Sequence, residues 1–166
     1  MKKISNFLNK FNATMSLDED LVAKKDDKYF LLNSKLKSLI RKDFIYAGIY
    51  LGRNENDTFS PSFNLLAMMT GLDTNSIIVD SKSEWLFICG RDVFKRGITQ
   101  VSGPEKKGDY TLIINQHGDC LGFGRLVRDL SDKDEGKVAV KNIKDIGDFL
   151  RREREQTSST KIHARI

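Results

Sequence analysis

Histidine is almost missing from this chain, and so is cysteine: there are two of each in 166 residues. The histidines are His117, beside Gly118 in a turn, and His163, in a polar tail. Neither setting supplies the enclosure that tunes a general base. Cys89 and Cys120 each lie within an apolar stretch and lack the C-x-x-C spacing of a zinc or redox site. They read as two small buried hydrophobes, with a bridge between neighbouring strands as the alternative. No HExxH pattern occurs, and no glycine-rich phosphate loop leads into a helix. No apolar run approaches the roughly 18 residues of a membrane-spanning helix. The basic opening places Ile4, Phe7, Leu8 and Phe11 on one helical face. A signal peptide would carry a continuous apolar block and a small-residue cleavage site instead. These absences argue against an enzyme, a cofactor or metal site and a membrane protein, and favour a cytoplasmic, monomeric binding protein.

What the chain does have is positive charge, 28 Lys and Arg against 23 Asp and Glu, a net +5. That excess suits an acidic partner such as nucleic acid, although its distribution matters more than its sum. Hydrophobic residues at 39% and charged residues at 31% suit a folded, water-facing protein.

Taken in order, the opening helix is followed by strands over 20–25 and 29–32, joined by a turn at 26–28. A helix capped at Ser34 carries Leu36, Leu39 and Ile40, and an aromatic, β-branched run with Gly48 inside predicts a central strand over 44–51. Residues 54–57 read as a polar loop, and a helix from Ser62 to the stop at Gly71 carries Phe63, Leu65, Leu66, Met68 and Met69. Turn formers at 73–76 mark a boundary between domains 1–75 and 76–155, ahead of a polar tail over 156–166. Domains of about 80 residues form only marginal cores alone, so the halves are expected to pack together.

In the second half, residues 85–90 read as a buried strand and 91–96 as one helical turn closed by a left-handed Gly97. Tyr110, Leu112 and Ile114 alternate into a hairpin that turns over 115–119 and returns over 120–127. Gly122 and Gly124 leave one face of the return strand bare, so a backbone or ring can approach closely. A charged loop over 131–136, a strand over 137–140 and an amphipathic helix carrying Ile143, Ile146, Phe149 and Leu150 complete the pattern. Periodicity thus predicts a small β barrel with one helical turn.

The order of elements over 86–97, the Leu121-Gly122-Phe123-Gly124 return and the closing Val138-Ala139-Val140-Lys141 resemble a PUA domain, a small RNA-binding pseudo-barrel. The fold class this implies is an α/β (α+β) pre-PUA domain followed by a small mixed β pseudo-barrel. Residues 145–153, directly after 140–144, resemble the C-terminus of the nuclear-import-seven family of ribosome-biogenesis factors. That resemblance implies a non-enzymatic protein that binds large-subunit ribosomal RNA precursors and uridine-rich RNA. It also implies the exosome and other assembly factors as partners, and a nuclear or nucleolar location in a eukaryotic cell.

The basic candidates are Lys137, Lys141 and Lys144 around the closing strand, Arg91, Lys95 and Arg96 at the short turn, and Arg151 and Arg152 near the end. Brought together, they would make a groove that tracks a phosphate backbone. The resemblance places RNA contacts at Lys137, Lys141 and Lys144, with Val138 where a second adjacent basic residue is expected. Each cation also has a plainer reading. Arg96 could pair with Asp92, and Arg151, Arg152 and Arg154 suit the negative end of a helix. Gly124-Arg125-Leu126 is similar to the pseudouridine synthase motif, but Val127 stands where the nucleophilic aspartate would follow. An RNA-modification enzyme, its accessory subunit and a protein-binding adaptor remain the alternatives.

Overall fold

The computed structural model describes residues 2–41, 44–103, 106–148 and 151. Helix α1 (Lys2–Asn9) buries Ile4, Phe7 and Leu8. A 3-10 turn at Glu19–Leu21 leads into an antiparallel meander of β1 (Val22–Lys25), β2 (Lys28–Leu31), β3 (Ile49–Glu55) and β4 (Thr58–Pro61). Helix α2 (Ser34–Leu39) lies between β2 and β3, and α3 (Phe63–Met69) follows β4. The Ser62 hydroxyl accepts the Leu65 N–H at 3.1 Å, so α3 starts where its apolar face begins.

The second sheet comprises β5 (Ser76–Val79), β6 (Val93–Phe94), β7 (Ile98–Ser102), β8 (Tyr110–Ile114), β9 (Cys120–Leu126) and β10 (Val138–Asp145), with α4 (Ser81–Ile88) between β5 and β6. Its strand order is β6-β10-β9-β8-β5-β7, antiparallel except for β5 beside β8. The edge strands β6 and β7 are consecutive in the chain, separated only by a 3-10 turn at Lys95–Gly97. The sheet must therefore curl until its edges approach, which makes the expected pseudo-barrel.

Several local expectations are overturned. Residues 85–90 are not a strand, because the Asp80 carboxylate accepts the Ser83 N–H at 2.7 Å and starts α4. A short apolar run looks the same in a buried strand and in a helix, and here Trp85 is 68% exposed while Phe87 is fully buried. The helical turn expected over 91–96 shrinks to the 3-10 turn at Lys95–Gly97, since Val93 and Phe94 pair with β10. The left-handed glycine that ends a helix is Gly90, at φ 85°. Gly97 is needed for another reason: a Cβ there would collide with the Ser83 hydroxyl. Cys89, expected to be buried, is exposed at the end of α4, and both cysteines are free.

In the first half, Glu19–Leu21 is a 3-10 turn rather than strand, and Asn33 rather than Ser34 caps α2. The strand expected over 44–51 begins only at Ile49, after Gly48 takes φ 68° beneath the Leu31 carbonyl. The polar loop over 54–57 shrinks to Asn56-Asp57, both left-handed as a two-residue hairpin requires, and β4 after it had no clear signal. Ile143 and Asp145 belong to β10, not to a final helix. Phe149, Leu150, Arg154 and the tail over 156–166 lie outside the described residues. No helix of the described residues is long and apolar enough to cross a membrane.

One buried cluster joins the halves. It combines Ile4, Phe7 and Phe11 with Tyr29, Leu51, Leu65 and Met69 of the first half, and with Leu112, Ile114 and Phe123 of the second sheet. A separate cluster, including Ile77, Phe87, Ile113, Leu126 and Val140, fills the pseudo-barrel. The connecting segment is stitched down. Asn75 N–H donates to Phe11 O, Leu112 N–H donates to Asn75 O, and Asn75 is 4% exposed.

Residues 76–155 expressed alone should therefore melt below the full chain, because the Leu112–Phe123 face would lose its cover. Equal midpoints in thermal melts would show that the halves are energetically independent. Gly124→Val should also destabilise the protein. A Cβ at Gly124 already falls 2.6 Å from the Lys141 carbonyl oxygen, so a branched side chain would force β9 and β10 apart. We expect a loss of about 3 kcal/mol in urea unfolding. An unchanged midpoint would contradict this packing.

Candidate nucleic-acid interface

Strand β10 carries two of the candidate cations, Lys141 and Lys144, and a bulge decides where they point. Lys141 lies opposite Arg125 and Lys144 opposite Phe123, with the register shifting between Asn142 and Lys144. In a regular strand, lysines three apart would face opposite sides of the sheet; here Ile143 is the extra, unpaired residue. The bulge places both on the face of β9 that carries Phe123 and Arg125.

Their surroundings differ. Lys144, expected to be exposed, is half-buried: its ammonium donates to the Pro61 carbonyl at 2.6 Å and to the Ser60 hydroxyl at 3.3 Å. It also lies 5.8 Å from the centre of the Phe63 ring. It thus ties β10 to β4 across a cleft of about 850 Å³ lined by Tyr50, Arg53, Glu55, Phe63, Phe123 and Asp148. Arg53 pairs with Glu55 in that cleft. Lys141 is exposed and has no carboxylate partner among the described residues.

The remaining candidates do not converge on one groove. Lys137 pairs with Asp134 at 2.8 Å, and this bond holds the Asp134 carboxyl below its usual range. Lys95 reaches Glu135 at 3.4 Å and the Asp132 carbonyl, leaving its side chain 18% exposed. The Arg96 guanidinium lies 5.5 Å from the Phe94 ring rather than on Asp92, whose carboxylate accepts the Asn142 N–H. Two of the expected phosphate contacts, Lys137 and Lys95, are thus taken up by an acidic loop. Arg91 is exposed nearby, and Arg152 lies outside the described residues.

Arg151 is a clamp. It donates to Asp145 Oδ2 at 2.6 Å and to the Ile88 carbonyl at 2.5 Å, between Gly90 and Gly147. The hydrogen bond that it donates to the carboxylate of Asp145, which is 2% exposed, pushes the guanidinium pKa up. Asn142 shares that carboxylate and also donates to the Phe87 carbonyl at 3.0 Å, so β10 is fastened to the end of α4.

Arg125 is a cation of this face that was not among the candidates read from the sequence. It is exposed, directly opposite Lys141 on one side and Tyr110 on the other. The hairpin turn alone does not signal this: Ile114 pairs with Cys120, and only the register shift between Ile113 and Ile114 brings Arg125, rather than Gly124, opposite Tyr110. Two cations directly opposite each other on adjacent strands destabilise a sheet. An anionic partner offsets that cost.

Among the described residues, no group of three or more His, Cys, Asp or Glu could hold a metal ion. Burial, the larger effect, raises the Cys120 thiol above its usual pKa, against a bond to the Gly122 carbonyl. It is a poor nucleophile there.

The UPF0113 PUA domain family model matches residues 75–154, the segment that forms the six-stranded sheet. The second half has the fold of a PUA domain. A UPF0113 protein of Archaeoglobus fulgidus is 30% identical over 115 residues, which make up 66% of this chain. The match spans 63% of that relative's length. Among solved structures, a conserved PUA domain protein of Thermoplasma acidophilum superposes with a TM-score of 0.60 at 21% identity, covering 92% of each chain. A PUA domain of Aeropyrum pernix gives 0.58 at 15% identity over 90% of this chain and 84% of its own. Those identities speak for the fold, including the small α/β unit ahead of the PUA domain.

Lys144→Ala should lower the unfolding free energy by about 1–2 kcal/mol, because the Pro61 carbonyl loses a charged donor. Lys141→Ala should stay within about 0.5 kcal/mol. Urea titrations of the two variants compare them directly. Equal, small effects would make Lys144 an ordinary surface lysine.

Proposed function

We propose that this protein is a non-enzymatic RNA-binding factor of ribosome assembly that contacts large-subunit ribosomal RNA precursors through its PUA domain. The observation that carries the reading is the exposed cation pair Lys141 and Arg125, set side by side on β10 and β9 without a carboxylate partner among the described residues. The PUA match supports the RNA class, since domains of this kind bind RNA. The resemblance of residues 145–153 to the nuclear-import-seven family supports the ribosomal role and a preference for uridine-rich RNA. It also supports the exosome and other assembly factors as partners. The same resemblance supports action in the nucleus and nucleolus if the cell is eukaryotic, and the amphipathic opening helix supports the cytoplasm otherwise.

On this reading Lys141 and Arg125 neutralise phosphates, and base preference comes from neighbouring polar groups and shape. Lys141→Ala should weaken RNA binding and lower the slope of log affinity against log salt by about 0.7 per lost single-strand contact. The loss should be alike for uridine-rich and mixed oligonucleotides, because a lysine on a phosphate carries no base information. Salt titrations of wild type and variant measure both quantities. Crosslinking in cells, followed by sequencing of the bound RNA, tests the ribosomal assignment. Recovered RNA without enrichment of large-subunit precursors would refute it.

A further inference from the structure

The cation pair does not end at the PUA domain. Lys141, Arg125 and Tyr110 form one cross-strand row over β10, β9 and β8. At the Tyr110 end the row meets Lys10, just beyond α1, whose ammonium lies 5.0 Å from the centre of the Tyr110 ring. The Arg125 guanidinium lies 5.9 Å from the same ring, and its Nε donates to the Gly108 carbonyl at 3.1 Å. Two cations from different halves of the chain are thus held against one aromatic side chain. Lys10, Arg125 and Lys141 are all exposed, and among the described residues none is paired with a carboxylate.

Nearby acids are already engaged. The Asp109 carboxylate accepts the Lys106 N–H at 3.0 Å, and the Asp129 carboxylate accepts the Lys107 N–H at 2.7 Å. These bonds shape the turn before β8, where Lys106 and Lys107 are themselves exposed. The backbone that carries Lys10 is anchored to the sheet. The next residue, Phe11, is fully buried with its ring centre 5.8 Å from that of Tyr110 and 5.7 Å from that of Phe123. The cleft at Lys144 differs, because its own carboxylates Glu55 and Asp148 balance Arg53 and Lys144.

We propose that Lys10 and Tyr110 complete, with Arg125 and Lys141, a phosphodiester-binding seat for single-stranded RNA, so that the N-terminal half takes part directly in RNA binding. The inference rests on the RNA-binding reading above and adds a contact from outside the PUA domain. A ring set among fixed cations suits an unpaired strand, whose bases and phosphates can both be met. Preorganised cations lose little freedom on binding, and each phosphate they neutralise releases counterions.

The test uses the full chain and single-stranded oligoribonucleotides, uridine-rich and mixed, with affinity read by fluorescence anisotropy across a salt series. Lys10→Gln and Arg125→Gln should each weaken binding several-fold and lower the salt slope by about 0.7. Lys82→Gln, the same charge change on the exposed side of α4, should leave the slope unchanged. Lys10→Gln should also keep the wild-type melting temperature, so it remains readable if Arg125→Gln unfolds. Wild-type binding matched by Lys10→Gln would overturn the seat while leaving RNA binding through the PUA domain intact. Equal losses in Lys10→Gln and Lys82→Gln would overturn it too, as the mark of diffuse charge. A wild type with no salt-dependent binding would sink the RNA reading itself.

Discussion

The arrangement depends on Phe123 being able to stand between two glycines. Gly122 takes φ 147°, and a Cβ there would collide with the Lys144 carbonyl, so β10 can close on β9 only while both positions stay bare. That close approach leaves the Phe123 ring as the feature of β9 facing the first half. Phe7 and Phe11 meet it edge-on, each with ring centres 5.7 Å away. Aromatic pairs of this geometry contribute about 0.5–1.5 kcal/mol each beyond the area they bury. The contact therefore fixes where α1 lies on the PUA sheet, and with it the position of Lys10.

The same packing sorts the cations. Beneath the first half, Lys144 loses much of its water and gains the Pro61 carbonyl, so its positive charge is spent on holding the halves together. One row further out, Lys141 and Arg125 remain in solvent. At the far end of β10, Lys137 and Lys95 answer the acidic loop at 132–135. A basic residue on or beside this strand thus takes one of three roles according to its distance from the core. Net charge could not have distinguished them.

Much of the fold was legible because its strongest signals are local. The hairpin around 115–119, the bare strand at Gly122 and Gly124 and the apolar stripes of α1 and α3 each follow from spacing within a few residues. Two kinds of feature were hidden. Residues 85–90 are apolar enough for either element, and what makes them helical is a cap at Asp80, five residues upstream. The β10 bulge has no signature in Val138–Asp145, because it answers the demand of β9 and of the Asn142 bonds to Asp92 and Asp145. Among the candidate contacts, Lys141 was readable from its strand, whereas Arg125 meets Tyr110 only through the register shift between Ile113 and Ile114, which the local sequence does not announce. Lys10 could be found only once the seat of α1 was known.

Sequence order also explains why the two halves cannot be read as beads. The link at 73–75 does not merely join them: Thr14 donates to the Asp73 carbonyl and Asn75 to the Phe11 carbonyl, so the end of the α1 segment is bonded to the entry of β5. The Asn75 amide then donates to the Tyr110 carbonyl at 3.2 Å. Phe11, Asn75 and Tyr110 therefore form one fixed corner, with Lys10 on its solvent side and Arg125 across the strand. A surface charge is useful to a polyanion only if its position costs little to hold, and here the backbone holds it. The corner that fastens the halves is the corner that presents the cations.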